Sequence, residues 1–252
     1  MPVKIFDSHL HIIDYEFPLI ENNGFLPDEF TVKDYLKQAN ALNIVAGVVV
    51  SGSFQGFDQG YLLAALKQLG PGFVGVTQLP ASTSDDEILE LNRAGVRALR
   101  FNLKRGGSED IRQIEYLAQR VYELANWHIE LYVDSRELDD LYAVLVKLPR
   151  ISIDHLGLSA AGFTTLLKLV AKGARVKATG FGRVDFDVAR AMQEIVTTNP
   201  EALMFGTDLP CTRAPRLFQQ ADLQLVQQQF AQTQCHKILY ANAYDWYRPG
   251  FE

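Results

Sequence analysis

Apolar residues along the chain fall into two alternating patterns. Short runs rich in Val, Ile and Phe occupy residues 3–12 (VKIFDSHLHI), 44–52 (IVAGVVVSG), 73–79 (FVGVTQL) and 96–103 (VRALRFNL). Others follow at 129–134 (IELYVD), 151–157 (ISIDHLG), 174–180 (ARVKATG) and 202–208 (ALMFGTD). Each has the length and β-branched character of a strand. Between them lie segments of helical spacing, from TVKDYLKQANALN at 31–43 to the Gln-rich LFQQADLQLVQQQFAQ at 217–232. Thr31 with Asp34 and Ser84 with Glu87 have capping-box spacing, and Gly70, Gly95 and Gly173 sit where helices should stop. Parallel strands need a crossover helix at every step, so a regular alternation without a linker predicts one closed parallel (β/α)8 barrel domain over residues 1–252. An open doubly wound sheet is the alternative. The longest irregular stretch, Ile13 to Phe30, carries Tyr15, Phe17, Phe25 and Phe30 and is expected either to cover the mouth as a lid or to pack on the rim.

Composition narrows the class of partner. At 252 residues and 48% hydrophobic content the chain can bury a large core, while a net charge of −6 repels phosphate backbones. Nucleic acid and membrane are therefore not expected as partners; no window approaches the roughly 18 apolar residues of a membrane span. Cys211 and Cys235 are the only cysteines, which suits a reducing compartment and predicts a cytoplasmic protein. Barrels of this size often self-associate, so a homo-oligomer is compatible with the sequence.

In either parallel architecture ligands bind at the carboxyl ends of the strands, so chemistry is sought there. By period-two alternation Asp7, His9 and His11 share one face of the first strand, with Ser8 and Leu10 on the other. The sixth run brings His155 to the same rim and the eighth brings Asp208. Three imidazoles and a carboxylate suit either a divalent-metal site or a metal-free acid–base site that activates water. The fourth run ends in RFNLKR, with Arg100 and Asn102 on one face and Lys104 and Arg105 just beyond; Tyr132, Arg183 and Arg213 come from the fifth, seventh and eighth units. Arginine's planar fork fits carboxylates, so a small anionic substrate is expected, bearing more than one carboxylate. His128 should lie at the bottom of the barrel and His236 near the C-terminus, both structural, and Cys211 has no base placed to activate it.

The set DSHLHI, RFNLKR, IDHLG and FGTDLP, closing with ILYANAYDWY, resembles the amidohydrolase superfamily, in its branch of TIM-barrel hydrolases typified by 2-pyrone-4,6-dicarboxylate lactonase and sugar lactonases. The resemblance implies a catalytic centre at His9, His11, His155 and Asp208, with Arg100, Arg105, Tyr132 and Arg183 holding substrate carboxylates beside Asn102. The spacing from Arg100 to Arg105 is one residue shorter than the family pattern. Many superfamily members place metal-binding residues at the ends of strands four and five, where this chain has Asn102 and then Tyr132 or Asp134. A binuclear centre is therefore not expected. Two routes stay open, one Zn²⁺ or Mn²⁺ on His9, His11 and Asp208, or metal-free catalysis. The activity implied is opening of a lactone or related ester by water activated at Asp208; a metal-dependent decarboxylase and a non-catalytic anion-binding barrel are the rival readings.

Overall fold

The computed structural model describes residues 3–248. Its eight strands are β1 (Ile5–Leu10), β2 (Ile44–Val50), β3 (Phe73–Thr77), β4 (Val96–Asn102), β5 (His128–Tyr132), β6 (Ile151–Ile153), β7 (Arg175–Ala178) and β8 (Leu203–Phe205). They pair in sequence order, every ladder parallel. No ladder joins β8 to β1; the ring is drawn together just past it, where the Asp208 N–H donates to His9 O and the His11 N–H to Leu209 O, both at 2.8 Å. The result is a single-domain, nearly closed barrel.

The crossover helices are α1 (Val32–Ala41), α2 (Gly60–Leu69), α3 (Asp85–Arg93), α4 (Ile114–Ala125), α5 (Leu138–Leu145), α6 (Phe163–Ala171) and α7 (Val188–Thr198), and α8 (Gln220–Gln229) follows β8. Both expected capping boxes form, at Thr31–Asp34 and Ser84–Glu87. Gly70 ends α2 at φ 85°, a conformation that costs a residue with a Cβ but not glycine. Among the described residues no helix is long and apolar enough to cross a membrane.

Alternation along the strands divides the core in two. Phe6, Ala46, Val48, Val50, Val76 and Met204 meet Trp246 and Tyr247 of the C-terminal helical segment (Asn242–Tyr247) and fill the lower barrel. Leu10, Tyr35, Val49, Leu62 and their neighbours pack strands against the helix ring. Each Val, Leu, Phe or Met among them, fully buried, contributes about 1.5–3 kcal/mol. With the floor plugged, only the carboxyl end of the barrel is left for chemistry.

One sequence expectation fails here. Asp7 does not share a face with His9 and His11. Its carboxylate accepts from Tyr35 Oη of α1 at 3.1 Å and from Thr207 N and Oγ1 at 2.8 and 2.6 Å, outside the histidine cluster. The cause lies in the pairing with β2, in which Asp7 opposes Gly47 and Leu10 opposes Val49. Three steps on β1 against two on β2 make a bulge, and an extra residue inverts the alternation beyond it. Leu10 joins the helix-facing core and the histidines turn inward. Ser8 does not follow Leu10 either; its hydroxyl donates to Met204 O at 3.3 Å.

The segment 13–30 is tied to the rim. Ile13 bridges Phe30, the Ile20 N–H donates to Phe54 O at 2.7 Å, and Asn22 Nδ2 donates to Arg105 O at 3.1 Å.

Candidate active site

The four residues expected at the centre converge. Asp208 Oδ1 lies 3.9 Å from His9 Nε2, 3.8 Å from His11 Nε2 and 4.0 Å from His155 Nε2, and the His9 and His11 Nε2 atoms are 3.3 Å apart. All four residues are buried, and among the described residues Asp208 Oδ1 has no hydrogen-bond partner. His155 and Asp208 stand just after β6 and β8 with φ of 50° and 61°. This left-handed geometry, costing about 1–3 kcal/mol at a non-glycine residue, bends each chain off its strand at the reacting end. Gly180, itself at φ 59°, lets the next loop pass; a Cβ there would stand 2.7 Å from His155 Nδ1.

Each ring is held from behind. His11 Nδ1 lies 2.7 Å from Val50 O and His155 Nδ1 lies 2.7 Å from Thr179 Oγ1. Burial pushes His9 down to about 3 and holds His11 and His155 well below the ordinary histidine value, so the imidazoles are neutral near pH 7. Burial raises Asp208, opposed by the Arg183 guanidinium.

Arg183, expected to grip substrate, grips Asp208 first. Its Nε and one terminal nitrogen both lie 2.7 Å from Oδ2, and the terminal nitrogen also donates to Thr212 O at 2.8 Å. Arg100 is likewise engaged inside the barrel, through Asp154 Oδ2 at 2.7 Å and Ser51 O at 2.6 Å.

Sequence reasoning missed a second buried set beneath the histidines: Glu130 of β5, Asp154 after β6 and Lys177 of β7. Lys177 Nζ lies 2.6 Å from Glu130 Oε2 and 3.6 Å from Asp154 Oδ1, and Tyr247 Oη donates to Glu130 Oε2 at 2.9 Å. Burial raises Glu130 while Lys177 pulls it down. Burial also works to raise Asp154, yet its charged neighbours, Arg100 and Lys177 among them, hold it well below the usual carboxylate range. The signal was a charged residue set beside apolar neighbours in three strand runs, Glu130 in IELY, Asp154 in ISID and Lys177 in VKA. Asp154, Glu130 and Asp208 face Arg100, Lys177 and Arg183, so the buried charges balance one for one.

Above this floor opens a narrow recess lined by His11, Arg100, Asn102, Tyr132, His155 and Asp208, with Arg105, Arg183 and Arg213 around it. The Tyr132 ring sits 5.0 Å from that of His155, and the Arg100 guanidinium lies over it at 5.4 Å. Asn102 Oδ1 accepts from the Arg105 N–H at 3.0 Å and so shapes the loop that carries Arg105. Arg213 donates to Asn22 Oδ1 and O at 2.9 and 2.5 Å and lies over the Phe25 ring. Among the described residues neither Arg105 nor Arg213 has a carboxylate within ion-pair distance. Lys104, weighed as a rim cation, instead pairs with Asp134 at 3.0 Å. His128 packs on Trp246 and Tyr247 at the floor, and burial pushes the Cys211 thiol up to about 12.

Residues 6–248 match the family model described as Amidohydrolase. The chain belongs to the amidohydrolase family. Among its relatives are a 2-pyrone-4,6-dicarboxylate hydrolase of Comamonas testosteroni, 25% identical over 83% of this chain and 78% of that protein, and a 4-sulfomuconolactone hydrolase of Rhizobium radiobacter, 28% identical over 83% and 77%. A crystal structure of an Agrobacterium tumefaciens protein superposes with a TM-score of 0.86 at 22% identity, over 98% of this chain and 97% of that one, which establishes the shared fold. This amidohydrolase is an enzyme whose named homologues act on lactones.

Amidohydrolases often bind a metal, and the donor set here can be tested for it. His9, His11 and Asp208 offer ligand atoms within 4.8 Å of one another, as do His9, Asp154 and His155. The unpartnered Asp208 Oδ1 is the kind of atom a cation satisfies, and two imidazoles with one carboxylate suit Zn²⁺ or Mn²⁺. By donor type and spacing, one divalent ion fits among His9, His11 and Asp208.

Proposed function

We propose that this enzyme hydrolyses a lactone or related ester of a small substrate bearing carboxylates. The observation that carries the reading is Asp208 Oδ1, a buried carboxylate oxygen without a partner, ringed by three neutral imidazoles beneath a recess whose mouth holds two arginines free of acid partners. The lactone-hydrolase relatives support it.

A substrate carboxylate seated at Arg105 and Arg213 directs the carbonyl toward the histidines, which supplies orientation. Water at Asp208 Oδ1 attacks the carbonyl carbon while Asp208 takes one of its protons. The carbonyl oxygen becomes an oxyanion received by an imidazole N–H, in the water-poor setting where such a donor acts most strongly. Collapse breaks the ring C–O bond, and the proton held on Asp208 passes to the departing alkoxide. General-base action of this kind is worth about 10²–10⁴ in rate. Arg183, on Oδ2, leaves Oδ1 as the oxygen that works. When bound by His9, His11 and Asp208, a Zn²⁺ or Mn²⁺ would polarise the carbonyl and acidify the attacking water. The two buried free cysteines suit a reducing compartment, which favours a cytoplasmic setting.

The test is a pH-indicator screen of lactones and esters of dicarboxylic acids, run with and without chelator on protein of measured metal content. Ring opening that requires substrate carboxylates supports the reading. Carbon dioxide release from aromatic acids, or tight lactone binding without turnover, would replace it with the decarboxylase or the binding barrel.

A further inference from the structure

Beneath the site the Lys177 ammonium has three N–H donors and three neighbours. Its Nζ lies 2.6 Å from Glu130 Oε2, 3.2 Å from His9 Nδ1 and 3.6 Å from Asp154 Oδ1, and all four residues are wholly buried. An ammonium only donates, so His9 Nδ1 turns a lone pair toward it. A neutral imidazole then carries its one proton on Nε2, 3.3 Å from His11 Nε2.

His11 is the complement. Its Nδ1 stands 2.7 Å from the Val50 carbonyl oxygen, which only accepts. His11 is therefore protonated on Nδ1 and accepts at Nε2. Donation runs one way from Lys177 through His9 and His11 to Val50. The opposite His9 tautomer would turn its N–H toward Asp154 Oδ1, 3.3 Å away but outside hydrogen-bond geometry. It would also set an N–H against the ammonium and leave two Nε2 lone pairs facing each other, an arrangement a buried network does not tolerate cheaply.

We propose that Lys177 is a positioning residue that locks His9 as the Nε2–H tautomer, so that this imidazole enters the site as a hydrogen-bond donor. The tautomer stands on the geometry; its use in catalysis rests on the hydrolytic reading above, where a donor at Nε2 meets the developing oxyanion. A metal bound at His9 Nε2 would need that lone pair free and the proton on Nδ1, so the metal-bound and metal-free routes use opposite tautomers of His9.

The experiment is long-range ¹H–¹⁵N correlation NMR on protein labelled with ¹⁵N-histidine, which separates protonated from bare ring nitrogens. The His9 signals are identified by their loss in His9→Asn. Wild type is expected to show a protonated Nε2 and a bare Nδ1. Lys177→Met alone strands Glu130, so the informative variant is Lys177→Met/Glu130→Gln, which leaves the net buried charge unchanged. In it the His9 nitrogens should exchange positions in the spectrum as the proton moves to Nδ1, toward Asp154. Lys177→Arg, which keeps a cation, should retain the wild-type pattern. A wild-type His9 protonated on Nδ1 overturns the proposal without need of any variant, and so does a folded double variant that keeps Nε2–H. Neither readout uses turnover, so a failure to open lactones and a failure of the lock are told apart.

Discussion

Asp208→Asn separates the charge of the central carboxylate from its shape. The amide keeps an acceptor oxygen for Arg183 but can no longer take a proton from water. Turnover should fall by about 10²–10⁴, which at about 1.36 kcal/mol per tenfold is a barrier increase of about 2.7–5.4 kcal/mol. Stability should also suffer, because Arg183, 6% exposed at its side chain, loses its counter-charge. Removing one partner of a buried pair costs about 3–5 kcal/mol. Here the amide oxygen can retain one of the two bonds and Thr212 O holds the other nitrogen, so about 1–3 kcal/mol is the better figure. A dicarboxylate product should bind the variant at least as tightly as wild type, since the pocket has lost a negative charge and the Arg183 guanidinium its counter-charge. The assay pairs steady-state hydrolysis of the best lactone with urea unfolding and product binding by calorimetry. A folded variant whose turnover stays within tenfold of wild type refutes the base assignment, and a folded variant that has lost product binding refutes the division of labour between Asp208 and the arginines.

Arg105→Ala and Arg213→Ala should each raise KM for an anionic lactone by roughly tenfold with little change in kcat; a kcat loss with unchanged KM would place these residues at the chemistry instead of the mouth. Activity should have an acid limb above the ordinary 3.8 of an aspartate, because burial raises Asp208 and only its carboxylate form works. Rate is then lost as pH falls through that raised value. The histidines, held below 6.5 by burial, should add no limb there, and a limb at 6.5 in kcat/KM would contradict the neutral imidazoles. Asp7→Ala should destabilise the fold by about 3–5 kcal/mol in urea melts, since it strands buried donors at Tyr35, Thr207 and the His9 backbone. A loss below 1 kcal/mol would show that Asp7 does not hold β1 to the segment after β8.

The strand and helix order was legible because each unit is local. A capping box such as Ser84–Glu87 is written in four consecutive residues, and a strand such as IVAGVVV at 44–50 needs no partner to be recognised. The convergence of His9, His11, His155 and Asp208 was legible for a different reason: parallel topology alone sends the ends of β1, β6 and β8 to one rim. What stayed hidden depends on register and on pairing at a distance. The β1 bulge that turns Asp7 away from the histidines exists only in the pairing with β2, and nothing in DSHLH announces it. Lys177, Glu130 and Asp154 each look like an isolated charge in an apolar run until β5, β6 and β7 are laid side by side.

The arginines show how such hidden pairing alters a functional inference. Counted along the sequence, Arg100, Arg105, Arg183 and Arg213 form a cluster of cations waiting for substrate carboxylates. In the fold, Arg100 is engaged by Asp154 and Arg183 by Asp208, so two of the four positive charges are balanced from within. Those two act on the enzyme's own carboxylates, fixing which Asp208 oxygen faces the histidines and steadying the acid behind His9. Recognition of the substrate's charge then falls to Arg105 and Arg213, on the loops after β4 and β8 and both tied to Asn22 of the 13–30 segment. Affinity for anions should therefore follow changes in that segment, whereas the rate of bond breaking should follow changes in the barrel floor.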